Sequence, residues 1–193
     1  MKVLMLNGSR NEKGCTYTAL SEVAKELNAA GIETEIFHAG KDAVNGGIEA
    51  MVKEIEGKMA ESDGLVVGSP VYFAGASGEI TAVLDRLFMT GEKVLRLKPA
   101  AAVASARRAG TTATLDSLNK YFTYAEMPVV SSRYWNMVHG RTPADVLADT
   151  EGLQIMRILG RNMAWLLKSI EAGKKAGLEQ PAAEKKIFTN FIR

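Results

Sequence analysis

The sequence predicts an α/β domain whose five-stranded parallel sheet is covered by helices on both faces, a doubly wound arrangement. Three observations carry this. Short apolar runs alternate along the chain with segments of helical periodicity. Runs such as Val3–Leu6 and Leu65–Val67 lack polar alternation, as strands buried on both faces do. A length of 193 residues, 47% of them apolar, suits one domain with a sizeable core.

Residues 2–7 read as the first strand. Leu20, Val23, Ala24 and Leu27 then recur at helical spacing, and Gly31 closes that helix. Ile32 to Phe37 alternates and reads as the second strand. Ile48, Met51, Val52, Ile55 and Met59 share one face of a second helix. Asp63 to Gly68 is the third strand, followed by a helix from about Ser77 to Phe88. Ala100 to Ser105 is a fourth strand built of small residues, and residues 111–125 are helical. Met127 to Val130 is the fifth strand. A long helix from about Thr150 to Lys174 has Leu153, Met156, Leu159, Met163, Leu166, Leu167 and Ile170 on its inner face. Lys174, Lys175 and Gly177 suit a helix end. In such sheets a ligand sits at the carboxyl ends of the strands, where strand order reverses. The loops after strands one, three, four and five are therefore the ones to read for function.

Composition narrows the function classes. A net charge of +2 gives no electrostatic case for nucleic acid. No apolar run approaches the roughly 20 residues of a membrane span. The Met-Lys start followed by a strand-like run does not read as a signal peptide. The single cysteine, Cys15, excludes an internal disulfide and a cysteine metal cluster, and suits a reducing cytoplasm.

The first loop, Gly8-Ser9-Arg10-Asn11-Glu12-Lys13-Gly14-Cys15-Thr16-Tyr17-Thr18, joins strand one to helix one. Helix-start N–H groups and the helix dipole favour an anion there. Ser9, Thr16 and Thr18 add hydroxyl donors, and Arg10 adds charge. A dinucleotide fingerprint fails, because the glycines are Gly8 and Gly14 only and strand two ends Phe37-His38-Ala39 without an acid. A Walker loop fails too, because five residues separate the glycines and Cys15 occupies the lysine position. A hydroxyl-lined loop without that lysine suits one terminal phosphomonoester. The plainer alternative is a polar turn capped by Ser9 or Thr16.

The third loop, Gly68-Ser69-Pro70-Val71-Tyr72-Phe73-Ala74-Gly75-Ala76-Ser77-Gly78, is too elaborate for a simple connection. Pro70 stiffens its start, and small residues let backbone approach a flat ligand. Tyr72 and Phe73 can stack on a planar heterocycle or merely plug the sheet edge.

Together these loops resemble the NADPH-dependent FMN reductase family of flavodoxin-like proteins. The resemblance rests on Gly8-Ser9-Arg10 with Gly14-Cys15-Thr16 and on Gly68-Ser69-Pro70-Val71-Tyr72. It continues through Ser77-Gly78-Glu79-Ile80 to Leu84-Asp85-Arg86-Leu87, and in element order to about residue 175. It implies a sheet in the order 2-1-3-4-5, a non-covalent FMN, NAD(P)H as electron donor and a small-molecule electron acceptor. It also implies a homo-oligomer, a dimer or tetramer whose subunits help wall the flavin. By residue, it implies Ser9, Arg10, Cys15, Thr16 and Thr18 at the flavin phosphate. Pro70, Val71, Tyr72, Phe73, Ala74 and Gly75 would line the ring. Relatives often carry Asn or Ser in place of Cys15, and many carry a lysine where Thr81 stands. The chain also resembles the iron–sulfur flavoprotein branch but lacks its clustered cysteines.

Under this resemblance Ser105-Ala106-Arg107-Arg108 lies at the pyrimidine end of the flavin. A cation there stabilises the reduced ring, so Ser105, Arg107 and Arg108 join the expected cofactor-binding residues. The alternative is a solvated basic turn. The stretch Ser131 to Gly140 after strand five is a candidate binding loop, with Trp135 over a flavin or packed at an interface, and His139 as a proton donor or a structural residue. Cys15, beside an anion site, reads as a weak donor and not as a nucleophile. Asp85-Arg86 reads as a structural or subunit pair. No acid–base residue is expected to be catalytic. The FMN-binding domain would span residues 1–177, and the tail 178–193, with apolar residues on one helical face, would dock on the core or on a partner subunit. Two other readings stay open, an electron carrier with protein partners and a non-enzymatic flavin sensor. Nothing in the sequence marks an adenine pocket, which favours FMN over FAD.

Overall fold

A computed structural model describes residues 1–41, 43 and 45–189. Its strands are β1 (Lys2–Asn7), β2 (Glu33–His38), β3 (Gly64–Tyr72), β4 (Gly75–Ala76), β5 (Ala100–Ala106) and β6 (Met137–His139). Its helices are α1 (Cys15–Ala29), α2 (Ile48–Ala60), α3 (Gly78–Thr90), α4 (Glu92–Leu95), α5 (Thr111–Tyr124), α6 (Pro143–Ala148) and α7 (Thr150–Lys175). Five strands run parallel in the order β2-β1-β3-β5-β6, and β4 folds back antiparallel on the end of β3. This is the flavodoxin-like order expected from the resemblance. No helix among the described residues is long and apolar enough to cross a membrane.

The central strands lack polar alternation because each feeds two cores. Leu4, Leu6, Leu65 and Val67 face α2, α3 and α5, where Ile55, Met59, Ile80, Leu84 and Phe122 close the layer. Val3, Met5, Val66 and Val103 face α1, α6 and α7, against Leu20, Val23, Leu27, Met156 and Leu159. Burying each such side chain contributes about 1.5–3 kcal/mol. Helix α7 lies close on α1 because a Cβ at Gly160 would meet Val23 O at 2.8 Å. The Glu22–Arg157 and Glu26–Arg161 pairs, both at 2.8 Å, flank that contact. The amino end of α1 is thereby held over the carboxyl edge of the sheet.

Three expectations need correction. Met127–Val130 is not the fifth strand. It makes a single bridge, Val129 opposite Ala100, and Pro128 offers its carbonyl to Ala100 N at 2.9 Å but has no N–H to return. Pairing resumes with β6 at Met137 opposite Ala104, so residues 130–136 span what β5 covers with 101–103. That excess throws Tyr134 and Trp135 outward as an exposed, edge-on aromatic pair. Secondly, Asp85 and Arg86 form no pair within the chain, which corrects the structural alternative alone: Asp85 accepts from Tyr121 OH at 2.5 Å, and Arg86 lies 3.4 Å from Glu49. Thirdly, residues 178–189 form no helix, and Ile187 and Phe188 are exposed there. Lys186 ties this tail to Glu92 at 2.6 Å. The expected stripe's last residues, Asn190–Arg193, lie outside the described residues.

Candidate functional site

The first loop is built from beneath by Asn7, a fully buried residue at the end of β1. Its Oδ1 accepts from Ser9 N at 3.1 Å, and its Nδ2 donates to Glu12 O at 2.9 Å. Ser9 Oγ accepts from Asn11 N at 3.2 Å, and His38 Nε2 lies 2.7 Å from Ser9 O. The chain after β2 passes so close that a Cβ on Gly40 would sit 2.0 Å from Ser9 O. These ties fix the loop's curvature without help from a ligand.

The third loop is locked to the first. Gly8 N donates to Gly68 O at 2.8 Å, and Ser77 Oγ donates to Gly8 O at 2.7 Å. Ser77 also caps α3 by accepting from Ile80 N, while Ser69 Oγ accepts from Ser77 N at 2.9 Å. β3 runs on as far as Tyr72, so Pro70, Val71 and Tyr72 leave the sheet as extended backbone. The tight turn into β4 places Phe73 (φ 51°) and Ala74 (φ 60°) in the left-handed region. Such residues cost about 1–2 kcal/mol each. Gly110 supports the turn, since a Cβ there would lie 2.7 Å from Ala74 Cα.

Between the loops lies a cleft of about 280 Å³. Ser9, Cys15 and Thr16 form one wall, and Pro70, Val71 and Tyr72 form another. Ser105 and Arg107 form the floor and far rim. The structure thus brings together eight of the residues expected from the sequence. The other six do not line the cleft. Arg10 points away, with Nε 3.5 Å from Glu79 Oε1. Thr18 donates to Gly14 O at 3.2 Å inside α1. Phe73 is fully exposed at the hairpin tip, flanked by Ala74 and Gly75. Arg108 contributes its carbonyl, 3.1 Å from His139 Nε2. Asp149 accepts from His139 N at 2.7 Å, so His139 bridges the β5–α5 loop and the start of α7 outside the cleft. Trp135 lies in a shallow hollow beside α5, also outside it.

Sequence reasoning left Asn11, Gly14 and Ala106 out of the cofactor site and missed Arg141 and Pro143 in the segment after β6, whereas Gly140 closes the candidate loop it named. A sequence signal for that segment exists. Thr142-Pro143-Ala144-Asp145 is a capping box with proline at the first turn, which starts α6 and fixes the residue before it.

Electrostatically the cleft is cationic. Helix α1 starts at the cleft with Gly14 as its cap, no side chain capping it and no acid in its first turn. Its first N–H groups therefore have no intrahelical partner. Arg107 and Arg141 add two guanidinium groups. Burial pushes the Cys15 thiol up, Asp145 adds to the shift, and Sγ sits 3.7 Å from Gly140 O. A raised value disfavours the thiolate. This donor set, hydroxyls and free N–H groups with cations and no carboxylate lining, fits a phosphate monoester. The Pro70–Tyr72 edge beside it fits a flat ring.

The chain is 29% identical over 192 residues to an iron–sulfur flavoprotein of Methanocaldococcus jannaschii, covering 89% of this chain and 100% of that protein. A second flavoprotein of that name and organism is 25% identical over 185 residues, covering 81% and 92%. With Cys15 as its one cysteine, this chain cannot supply the thiolates of such a cluster. Among solved structures, RosB with bound 8-demethyl-8-formylriboflavin-5′-phosphate superposes with a TM-score of 0.72 at 16% identity, over 100% of this chain and 92% of that one. A flavodoxin from the domain Archaea gives 0.66 at 13% identity, over 87% and 99%. The family model for NADPH-dependent FMN reductase matches residues 1–142. The chain therefore belongs to the NADPH-dependent FMN reductase family, a family of flavin-dependent oxidoreductases.

Proposed function

We propose that the protein is an FMN-dependent NAD(P)H oxidoreductase acting on a small acceptor such as a quinone or another electrophile. Bound FMN would supply the redox chemistry, taking a hydride from NAD(P)H at N5 and passing electrons to the acceptor. The observation that carries this reading is the single cleft in which the uncapped start of α1 meets the Pro70–Val71–Tyr72 edge. Ser9, Thr16 and the α1 N–H groups would hold the phosphate. Pro70, Val71 and Tyr72 would orient the ring along the end of β3. Arg107, which lines the cleft just beyond the end of β5, would stabilise the electron-rich reduced ring. The exposed flank of Tyr72 leaves one side of the cleft open to a nicotinamide or acceptor.

A homo-oligomer belongs to the same proposal. Phe73 stands fully exposed at the cleft rim, on a turn that holds it in a costly conformation. A neighbouring subunit would bury it there and help wall the site.

The test is purification followed by an absorbance spectrum, reconstitution with FMN, and anaerobic reduction with NADH and NADPH in turn. A yellow protein bleached by either nucleotide is expected. Protein that stays colourless in excess FMN sinks the proposal. A flavin-loaded protein that neither nucleotide reduces would leave the flavin site standing and remove the enzyme.

A further inference from the structure

We infer that Arg141, and not Arg10, supplies the guanidinium that holds the phosphate of the cofactor. The inference rests on the FMN reading above. It assigns to the segment after β6 a role that the Gly8-Ser9-Arg10 motif would give to its own arginine.

Arg10 is committed elsewhere. Its Nε lies 3.5 Å from Glu79 Oε1, with 75% of the arginine side chain exposed and only 12% of the glutamate. Glu79 sits in the first turn of α3. Swinging Arg10 into the cleft would leave a mostly buried carboxylate without its ion-pair partner, which is costly. Arg10 also does not line the cleft.

Arg141 lines the cleft with Ser9, Asn11, Cys15 and Thr16, which surround the start of α1. Its backbone is fixed on both sides. On one side, Gly140 N donates to Ala106 O at 2.9 Å, and Cys15 Sγ touches Gly140 O at 3.7 Å. On the other, Arg141 N and Thr142 N donate to Asp145 Oδ2 at 3.0 and 2.9 Å. Close packing of α6 adds to this, since a Cβ on Gly140 would lie 2.8 Å from Val146. The side chain of Arg141 thus springs from an anchored backbone in the cleft that the amino end of α1 also lines. Among the described residues no carboxylate pairs with it within 4.0 Å. The carboxylate of Asp145 accepts the cap hydrogen bonds, and the charge of Arg141 is near enough to help hold it below the ordinary carboxylate range, without a direct ion pair.

The chemistry matches the position. A phosphate monoester carries nearly two negative charges, and a helix start offsets about half of one. A planar, two-pronged guanidinium offsets most of the rest and can bind two phosphate oxygens at once. The two cleft arginines divide the ligand. Arg141 lies on the Cys15 side, at the phosphate. Arg107, next after β5, would be left for the ring.

Titration with FMN and with riboflavin, which lacks the phosphate, separates these roles. Quenching of flavin fluorescence gives the dissociation constants without any turnover. Arg141→Ala is expected to weaken FMN about 10- to 100-fold, the size of one charge-assisted hydrogen bond. Riboflavin affinity should change less than about twofold, because that interaction is absent from it. Arg141→Lys should recover part of the FMN loss, and Arg10→Ala should cost less than Arg141→Ala. An unchanged ratio of FMN to riboflavin affinity in Arg141→Ala overturns the assignment. So does a parallel loss of both flavins, which marks a structural role, or a larger loss from Arg10→Ala. If the unmodified protein binds neither flavin, the failure lies with the FMN reading itself, and the assignment falls with it.

Discussion

Thr16 Oγ1 and Ser105 Oγ lie 2.8 Å apart, both buried, and join the first turn of α1 to the end of β5. The contact crosses the floor of the cleft and sets the spacing between the anion-binding helix start and the fourth loop. Each hydroxyl satisfies the other where both are almost fully buried at the cleft floor. Thr16→Val or Ser105→Ala alone strands one polar group and should cost about 1–3 kcal/mol. The double variant strands none and should be less destabilised than the two losses added together. Urea melts of the four proteins give the coupling energy. Simple additivity would show that the hydroxyls do not depend on each other.

Gly40 makes a different kind of demand on the site. Its missing Cβ leaves room for Ser9 O and for the N–H of Arg10, at 2.0 and 2.9 Å from where that carbon would stand. Gly40→Ala must displace the backbone of the first loop at Ser9 and Arg10. Gly40 lies just beyond β2 in an irregular stretch, so the fold can absorb the shift while the cradle loses its shape. The expected result is FMN binding weakened by about tenfold or more, the scale of one hydrogen bond to a charged group. The thermal midpoint should fall by only a few degrees. Unchanged FMN affinity would show that the loop tolerates the displacement.

How much of this was readable beforehand follows from how local each signal is. Val3 and Leu4 point to opposite cores, and that alone makes β1 a continuous apolar run in the sequence. Gly31, with φ 78°, ends α1 where a left-handed residue is needed, which is a local signal as well. The edge strand was misplaced because Met127–Val130 has strand-like composition, while the register that skips to Met137 depends on Pro128 and on β5. The hairpin after β3 was hidden because Phe73 and Ala74 occupy positions where glycine or asparagine would announce the turn. Arg10 was expected at the phosphate because it sits in the motif. Its tie to Glu79 spans most of the distance between the two loops in sequence and leaves no local trace. Arg141 belongs to no motif, and only the capping box behind it was there to be read.

The hairpin strain has a measurable consequence. Ala74 holds φ at 60° with its Cβ exposed beside Gly110, so glycine fits the same backbone without the steric penalty. Ala74→Gly should raise stability by about 0.5–1 kcal/mol, the left-handed relief of 1–2 kcal/mol less the extra freedom glycine gains when unfolded. Denaturant midpoints at constant slope test this. A destabilised variant would mean that the turn relaxes without cost in the folded protein.

The pH dependence of stability should be traceable to Glu35 on β2. Side-chain hydrogen bonds from Lys2 (2.7 Å) and Lys58 (2.6 Å) hold its carboxyl below the ordinary carboxylate range. A carboxyl depressed in the folded state contributes stability that is fully present above its unfolded value, near 4.5, and disappears as pH falls through the lower folded value. The two lysines run the other way. Glu35 raises both above 10.5, so their share is complete below that pH and is lost as alkali passes the raised folded values. Glu35→Gln removes both edges. Unfolding midpoints measured across pH should therefore show the variant less stable than the parent on the neutral plateau, with the gap closing below about pH 4 as the parent's carboxylate protonates. The gap should also narrow above about pH 11 as the lysines lose charge. A gap that stays constant through the acid limb would show that the depression of Glu35 does not contribute to folding.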